Sequence, residues 1–256
     1  MPEYDWISWL FFFIIYCMVG WCFETAYVSI RQKRYVNRGF MRGPYLPIYG
    51  FGAIVMLIST IPVRNNLLLS FLFGMIAATI LEYVTGVLME MLFKVRYWDY
   101  SCKKFNFQGH ICLTSSLAWG GMTLLLNEIL HKPVEKLCFM IPEKTRTVVT
   151  LIVFSVMLVD FGFAMKNAFA FRFLLDRIEI ARKELANMQK RLDVVVAFSV
   201  DSFEKKKEET ERRIEELMEK QKRNFRRILR NHPSMRSLHF NEAWENIKSF
   251  TEKLLK

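Results

Sequence analysis

Five stretches of mainly apolar residues occupy the first two thirds of the chain: about Trp6–Ser29, Tyr45–Ile61, Leu67–Phe93, Gln108–Leu130 and Thr147–Phe171. A bilayer core takes about 20 mostly apolar residues per helix, so the pattern predicts five membrane spans. The first stretch lacks a basic start and a small-residue cleavage site, so it reads as a span and not as a removed signal. The fourth is polar in its first half and also fits a partly re-entrant element, which needs protein or water around its backbone. Residues 132–142, framed by Pro133 and Pro142, predict a short amphipathic helix on the outer surface. From Leu174 the apolar spacing changes to steps of four and three: Leu174, Ile178, Ala181, Leu185, Met188, Leu192 and Val195. That is a coiled-coil seam, with charged residues between its members. A weaker continuation uses Ile214, Met218, Gln221, Phe225 and Ile228, and a last short helix over 241–255 presents Trp244, Ile247 and Phe250.

Charge divides the chain at the same place. Residues 1–171 carry 15 Lys/Arg and 10 Asp/Glu, whereas the shorter 172–256 carries 21 and 15. One uniform globular domain is excluded. The expected fold is all-α: a polytopic bundle of about five spans over 1–171, then a charged helical, coiled-coil tail over 172–256. The first loop holds Arg31, Lys33, Arg34, Arg38 and Arg42, and the second only Arg64. Lys/Arg favour the cytoplasmic side, which predicts an outside N-terminus and a cytoplasmic tail. Lys132, Lys136, Lys144 and Arg146 in the fourth loop run against that pattern.

Ionisable groups inside spans cost about 2.5–3.5 kcal/mol each on insertion scales, so each is a candidate for function. Glu82 lies deep in the third span and Asp160 in the middle of the fifth; neither has an easy route to water. Glu24 and Glu90 lie near cytoplasmic ends, and Glu24 has Arg31 or Arg38 as a potential partner. The stretch Asn37–Gly52 holds four Gly and two Pro and does not start as a plain helix. Pro47 suits a first helical turn, and Gly50 and Gly52 suit close approach of another helix. Tyr97, Trp98 and Tyr100 fit interfacial anchoring, which does not account for Asp99, Asn106 and Gln108. In this topology Glu24, Asn37, Arg38, Glu82, Glu90, Arg96, Asp99, Asn106, Gln108 and Trp119 share the cytoplasmic half. Together with Asp160 they are the expected lining of a substrate or ion pathway.

Other chemistry is not signalled. The five cysteines form no CxxC pair and no metal spacing, and GxxxxGK[ST], HExxH and GxSxG are missing. No cofactor, metal or enzymatic activity is therefore expected. The basic run from Lys220 to Arg236 suits anionic lipid; nucleic acid is disfavoured for want of an aromatic stacking platform.

The segments Gly20-Trp21-Cys22-Phe23-Glu24, Asn37-Arg38-Gly39-Phe40, Gly43-Pro44 and Pro47-Ile48-Tyr49-Gly50-Phe51-Gly52 carry a resemblance. So do Arg96-Tyr97-Trp98-Asp99-Tyr100-Ser101 and Phe105-Asn106-Phe107-Gln108-Gly109. Over about residues 5–170 the chain resembles the ABC-transporter type IV family of bacterial multi-span membrane proteins. Met41 and Leu46 depart conservatively from the expected pattern. The resemblance implies a bacterial inner-membrane location and a role related to transport, with no residue roles attached. The leading expectation is a membrane subunit working with a separate ATPase, with homo-oligomerisation supplying what five spans lack. The alternative is a membrane scaffold or sensor acting through the tail, whose heptad would self-associate, dock on a partner or fold back as a hairpin.

Overall fold

A computed structural model describes residues 4–194, 200–232, 235–237, 240 and 244 of the 256. The chain is mostly helical and divides into two compact units, Met1–Leu88 with Trp98–Met165, and Met89–Tyr97 with Lys166–Lys256.

In the first unit, α1 (Trp6–Gln32) starts at Asp5, whose side chain accepts from the Ser8 amide, and ends at Lys33 in the left-handed conformation. This capping satisfies amides that the first turn leaves free. The chain then runs irregularly to α2 (Pro47–Thr60), which has proline in its first turn. At about 1.5 Å per residue, the 14 residues of α2 extend about 21 Å, short of a hydrocarbon core of about 30 Å. A 3-10 turn, Ile61–Val63, leads towards α3 (Leu67–Phe93). Helices α1, α3 and the first part of α6 (Glu143–Val194) are long and apolar enough to cross a membrane.

The fourth apolar stretch becomes helical later than its hydropathy suggests. Asn106–Phe107 (β1) and Ile111–Cys112 (β2) form a small antiparallel hairpin, turned at Gln108 and Gly109, both with positive φ. Helix α4 (Leu113–Leu125) starts only after Cys112, which caps it through Ser115. It widens into a π turn at Leu126–Leu130 and continues as α5 (His131–Met140).

Tight backbone approaches join these helices. A Cβ at Gly20 would overlap the Tyr49 ring, and one at Gly50 would overlap Cys17 and Phe13. The same holds for Gly74 against Thr123 and Gly120 against Phe71. Small residues serve membrane helices in this way, because dispersion contacts replace the hydrophobic drive that lipid removes. Gly52, expected to make such a contact, has open space beside it. A core of Phe11, Phe12, Tyr16, Met56 and Leu57 packs with Leu126 and Cys138.

In the second unit, the end of α3 and residues 94–97 are tied to the tail. Arg96 and Arg236 pair backbone to backbone, at 2.7 and 3.0 Å, and Ser237 Oγ donates to the Lys94 carbonyl at 2.9 Å. Arg172 Nη1 donates to the Leu92 carbonyl at 2.8 Å, a cation placed on carbonyls that the helix end leaves free. Of the heptad, Leu174 and Ile178 are buried within this single chain, as are Ile214 and Ile228 on α7 (Val200–Asn231). Those four positions are covered within the chain itself. The side chains of Leu185, Met188, Leu192, Lys220, Lys222, Arg223 and Arg226 lie outside the described set, as do Val195, Ile247 and Phe250 entirely.

Candidate functional site

Two carboxylates of the first unit, Glu82 and Glu24, gather hydrogen-bond donors from several elements. Glu82, on the apolar helix α3, is 5% exposed. Its Oε1 accepts from the Tyr100 hydroxyl at 3.2 Å; its Oε2 accepts from Ser115 Oγ and Trp119 Nε1, both at 3.1 Å. Each donor comes from outside α3: Tyr100 from the loop before the hairpin, Ser115 and Trp119 from successive turns of α4. A buried carboxylate persists when it is hydrogen-bonded on this scale. Burial, and next the Glu82 charge, raise the Tyr100 phenol above its ordinary range and keep it a donor.

Glu24 on α1 is the second centre. Oε1 takes a hydrogen bond from Arg38 Nε at 3.2 Å and Oε2 one from the Tyr49 hydroxyl at 2.8 Å. Of the two arginines the sequence offered as partners, the structure uses Arg38. The Tyr49 ring meets the Trp119 ring at 5.9 Å between centroids. One continuous track therefore runs Arg38–Glu24–Tyr49, across a ring contact, to Trp119–Glu82–Tyr100.

The irregular segment before α2 is pinned at both ends. Asn37 Oδ1 accepts from Trp21 Nε1 at 2.7 Å and from the Gly39 amide at 3.1 Å, while its Nδ2 donates to the Arg42 carbonyl at 3.1 Å. The Arg38 amide donates to Thr25 Oγ1 at 3.4 Å. At the far end, one oxygen of Asp160 accepts the amides of Arg42 and Gly43 at 3.0 and 2.8 Å. Two amides of this Gly/Pro stretch thus have a carboxylate from α6 as their acceptor. Phe40 lies against Phe161, and Arg42 over Phe163.

The other candidates divide by role. Asp99 accepts from Ser101 N at 2.9 Å, and Asn106 ties the Ser101 and Lys103 carbonyls to the Gly109 amide, so both shape the hairpin loop. Gln108 accepts from Tyr83 at 3.1 Å. Glu90 and Arg96 belong to the second unit and pair with each other at 2.7 Å. His110, alone in the sequence at this boundary, is buried beside Gly86 and the Tyr83 ring. Sequence reasoning missed Tyr49, Tyr100 and Ser115 as partners; a hydroxyl in an apolar run carries no charge to mark it. It also missed a second polar cluster, around His131. Among the described residues no group of His, Cys, Asp and Glu has the arrangement to hold a metal ion.

A family model described as "Putative ABC-transporter type IV" matches residues 11–165, the span that carries the whole Glu24–Glu82 track and Asp160. No curated protein and no solved structure matches the chain.

Proposed function

The chain belongs to the ABC-transporter type IV family, and on that premise we propose that it is a transport-related membrane subunit with a polar pathway open to the cytoplasm. The observation that carries this reading is Glu82. A carboxylate deep in an apolar helix, held by three donors from other elements, is costly in lipid and marks a pathway or relay. Glu24, Tyr49 and Arg38 extend the polar track towards the end of α1 that lies beside the basic first loop. Five crossings are proposed, with α2 and α4 completing the three long apolar helices. Their short helical lengths, with irregular lead-in segments, are tolerated where protein covers the backbone. Loop charges support a cytoplasmic tail in a bacterial inner membrane. With no nucleotide-binding loop in the sequence, ATP hydrolysis falls to a separate chain, and this subunit is read as non-enzymatic.

Purification of the intact protein in mild detergent, with mass spectrometry of what accompanies it, tests the reading. A stoichiometric ATPase subunit whose hydrolysis changes with Glu82→Gln is the expected result. A homo-oligomer without an ATPase overturns it. That outcome favours a scaffold or sensor, for which the pairing of Arg236 and Ser237 with residues 94–96 is the supporting observation.

A further inference from the structure

The second polar cluster of the first unit uses none of the residues assigned above. His131, at the start of α5, is 0% exposed. Its Nδ1 lies 2.7 Å from the Tyr16 hydroxyl on α1, and its Nε2 lies 3.2 Å from the Tyr4 hydroxyl. Tyr4 in turn donates to Glu135 Oε1 at 2.5 Å.

Counting hydrogens fixes the direction of this chain. Tyr4 has one hydroxyl hydrogen and gives it to Glu135, so its oxygen can only accept from His131. A neutral imidazole has one N–H, which is then on Nε2. Nδ1 is left as an acceptor, and the Tyr16 hydroxyl donates to it. The order is Tyr16 to His131 to Tyr4 to Glu135, with every hydrogen used once.

We propose that this chain is an acid-operated latch between α1 and α5, closed while His131 is neutral and released when the imidazole takes a proton. A protonated His131 carries hydrogen on both nitrogens. Tyr4 can still accept from Nε2, but the Tyr16 oxygen can then only accept from Nδ1, and its own hydrogen must turn away. Its surroundings there are Phe12, Leu126 and the rest of an apolar core, with no acceptor for Tyr16 beyond His131 among the described hydrogen bonds. The latch opens because a buried hydroxyl hydrogen is left without a partner.

The groups facing His131 set where this happens. On α5 these are Glu135, which favours the protonated ring, and Cys138. From the chain before α1 comes Tyr4, next to Asp5 in sequence, and from the loop after α2 comes Arg64. Arg146 reaches the cluster from α6, pairing with Asp5 at 3.8 Å and donating to the Cys138 carbonyl at 3.3 Å. Glu128 and Lys132, both exposed, pair with each other at 3.2 Å. Burial first lowers the imidazole below its ordinary range; Glu135 opposes that and Arg64 adds to it. The ring is therefore neutral at pH 7 and charges on acidification. The inference is independent of the transport reading.

Hydrogen exchange of the full-length protein in lipid nanodiscs, corrected for the intrinsic pH dependence of exchange, tests it. In the wild type, protection of residues 4–16 and 131–140 is expected to fall about tenfold between pH 7.5 and pH 5, a local opening and not global unfolding. His131→Gln, which cannot titrate, is expected to show equal protection at both pH values. Should that variant fail to fold, Tyr16→Phe, which has no hydroxyl hydrogen to orphan, is expected to lose most of the acid response. Equal wild-type protection at both pH values overturns the latch. So does an acid response that survives intact in either variant.

Discussion

Glu82 and Asp160 both sit far inside long apolar helices, α3 and α6, and their surroundings answer them differently. Glu82 takes three hydrogen bonds from side chains spread over both of its oxygens. Asp160 takes two from the backbone, both on one oxygen. Side-chain donors can rotate, exchange partners and release a carboxylate to a passing ligand. Backbone amides fixed in a Gly/Pro segment cannot. The Glu82 carboxylate is thus held by movable side chains, and the Asp160 carboxylate by a loop's backbone. An ionisable residue in a span is by itself no evidence of which.

Substitution separates the two. Asp160→Ala, which orphans two amides, is expected to cost about 3 kcal/mol, or roughly 6–12 °C in thermal midpoint in detergent. Asp160→Asn should recover most of that, because one amide oxygen can accept both N–H groups. If the Asn variant is as damaged as the Ala variant, the charge at Asp160 matters and the contrast with Glu82 fails. Glu82→Gln is expected to do the reverse. It keeps an acceptor for Ser115 and Trp119, so stability should shift by only about 1 kcal/mol. On the proposed reading, transport, or hydrolysis by an accompanying ATPase in proteoliposomes, should drop about tenfold, because the proposed pathway uses a carboxylate there. Wild-type activity of Glu82→Gln would remove the central residue of the pathway.

Tyr49→Phe sharpens the picture further. It deletes the donor to Glu24 and leaves the ring contact with Trp119, so the expected loss is about 1 kcal/mol in thermal or denaturant titration. The smallest effect belongs to Asp5, a carboxylate outside the spans. Its hydrogen bond from the Ser8 side chain, and further its amide bond and Arg146, hold its pKa below the ordinary value. A depressed carboxylate stabilises the fold at neutral pH, and that share is lost as pH falls through the folded-state value. Because Asp5 is well exposed, the loss should be a few tenths of a kcal/mol. It should vanish in Asp5→Asn when midpoints are compared between pH 7 and pH 3.

The long helices were legible because length and hydropathy alone specify them, and Pro47 marked the start of α2. Glu82 and Asp160 were legible as anomalies but not as opposites. Their partners lie 18 to 118 residues away, and nothing local announces them. The hairpin before α4 escaped notice because its strands are only two residues each, too short for any alternation to show, although Gly109 stands in its turn beside Gln108. The His131 latch was hidden for another reason. A tyrosine inside an apolar run reads as an aromatic until a distant histidine reveals its hydroxyl as a donor. Of the heptad, Leu174 and Ile178 are buried within the chain, a covering that spacing alone does not reveal.

The pairing of Lys94 and Arg96 with Arg236 and Ser237 has a consequence in time. Ser237 follows Lys94 by 143 residues. At about 5–20 residues per second, ribosomal synthesis delivers it roughly 7–30 s later. The bundle's third loop therefore emerges, and its neighbouring helices enter the membrane, well before its backbone partner exists. The clamp cannot close before residues 236 and 237 have been made, so a ribosome that stops before residue 235 releases a chain with this seam unfastened.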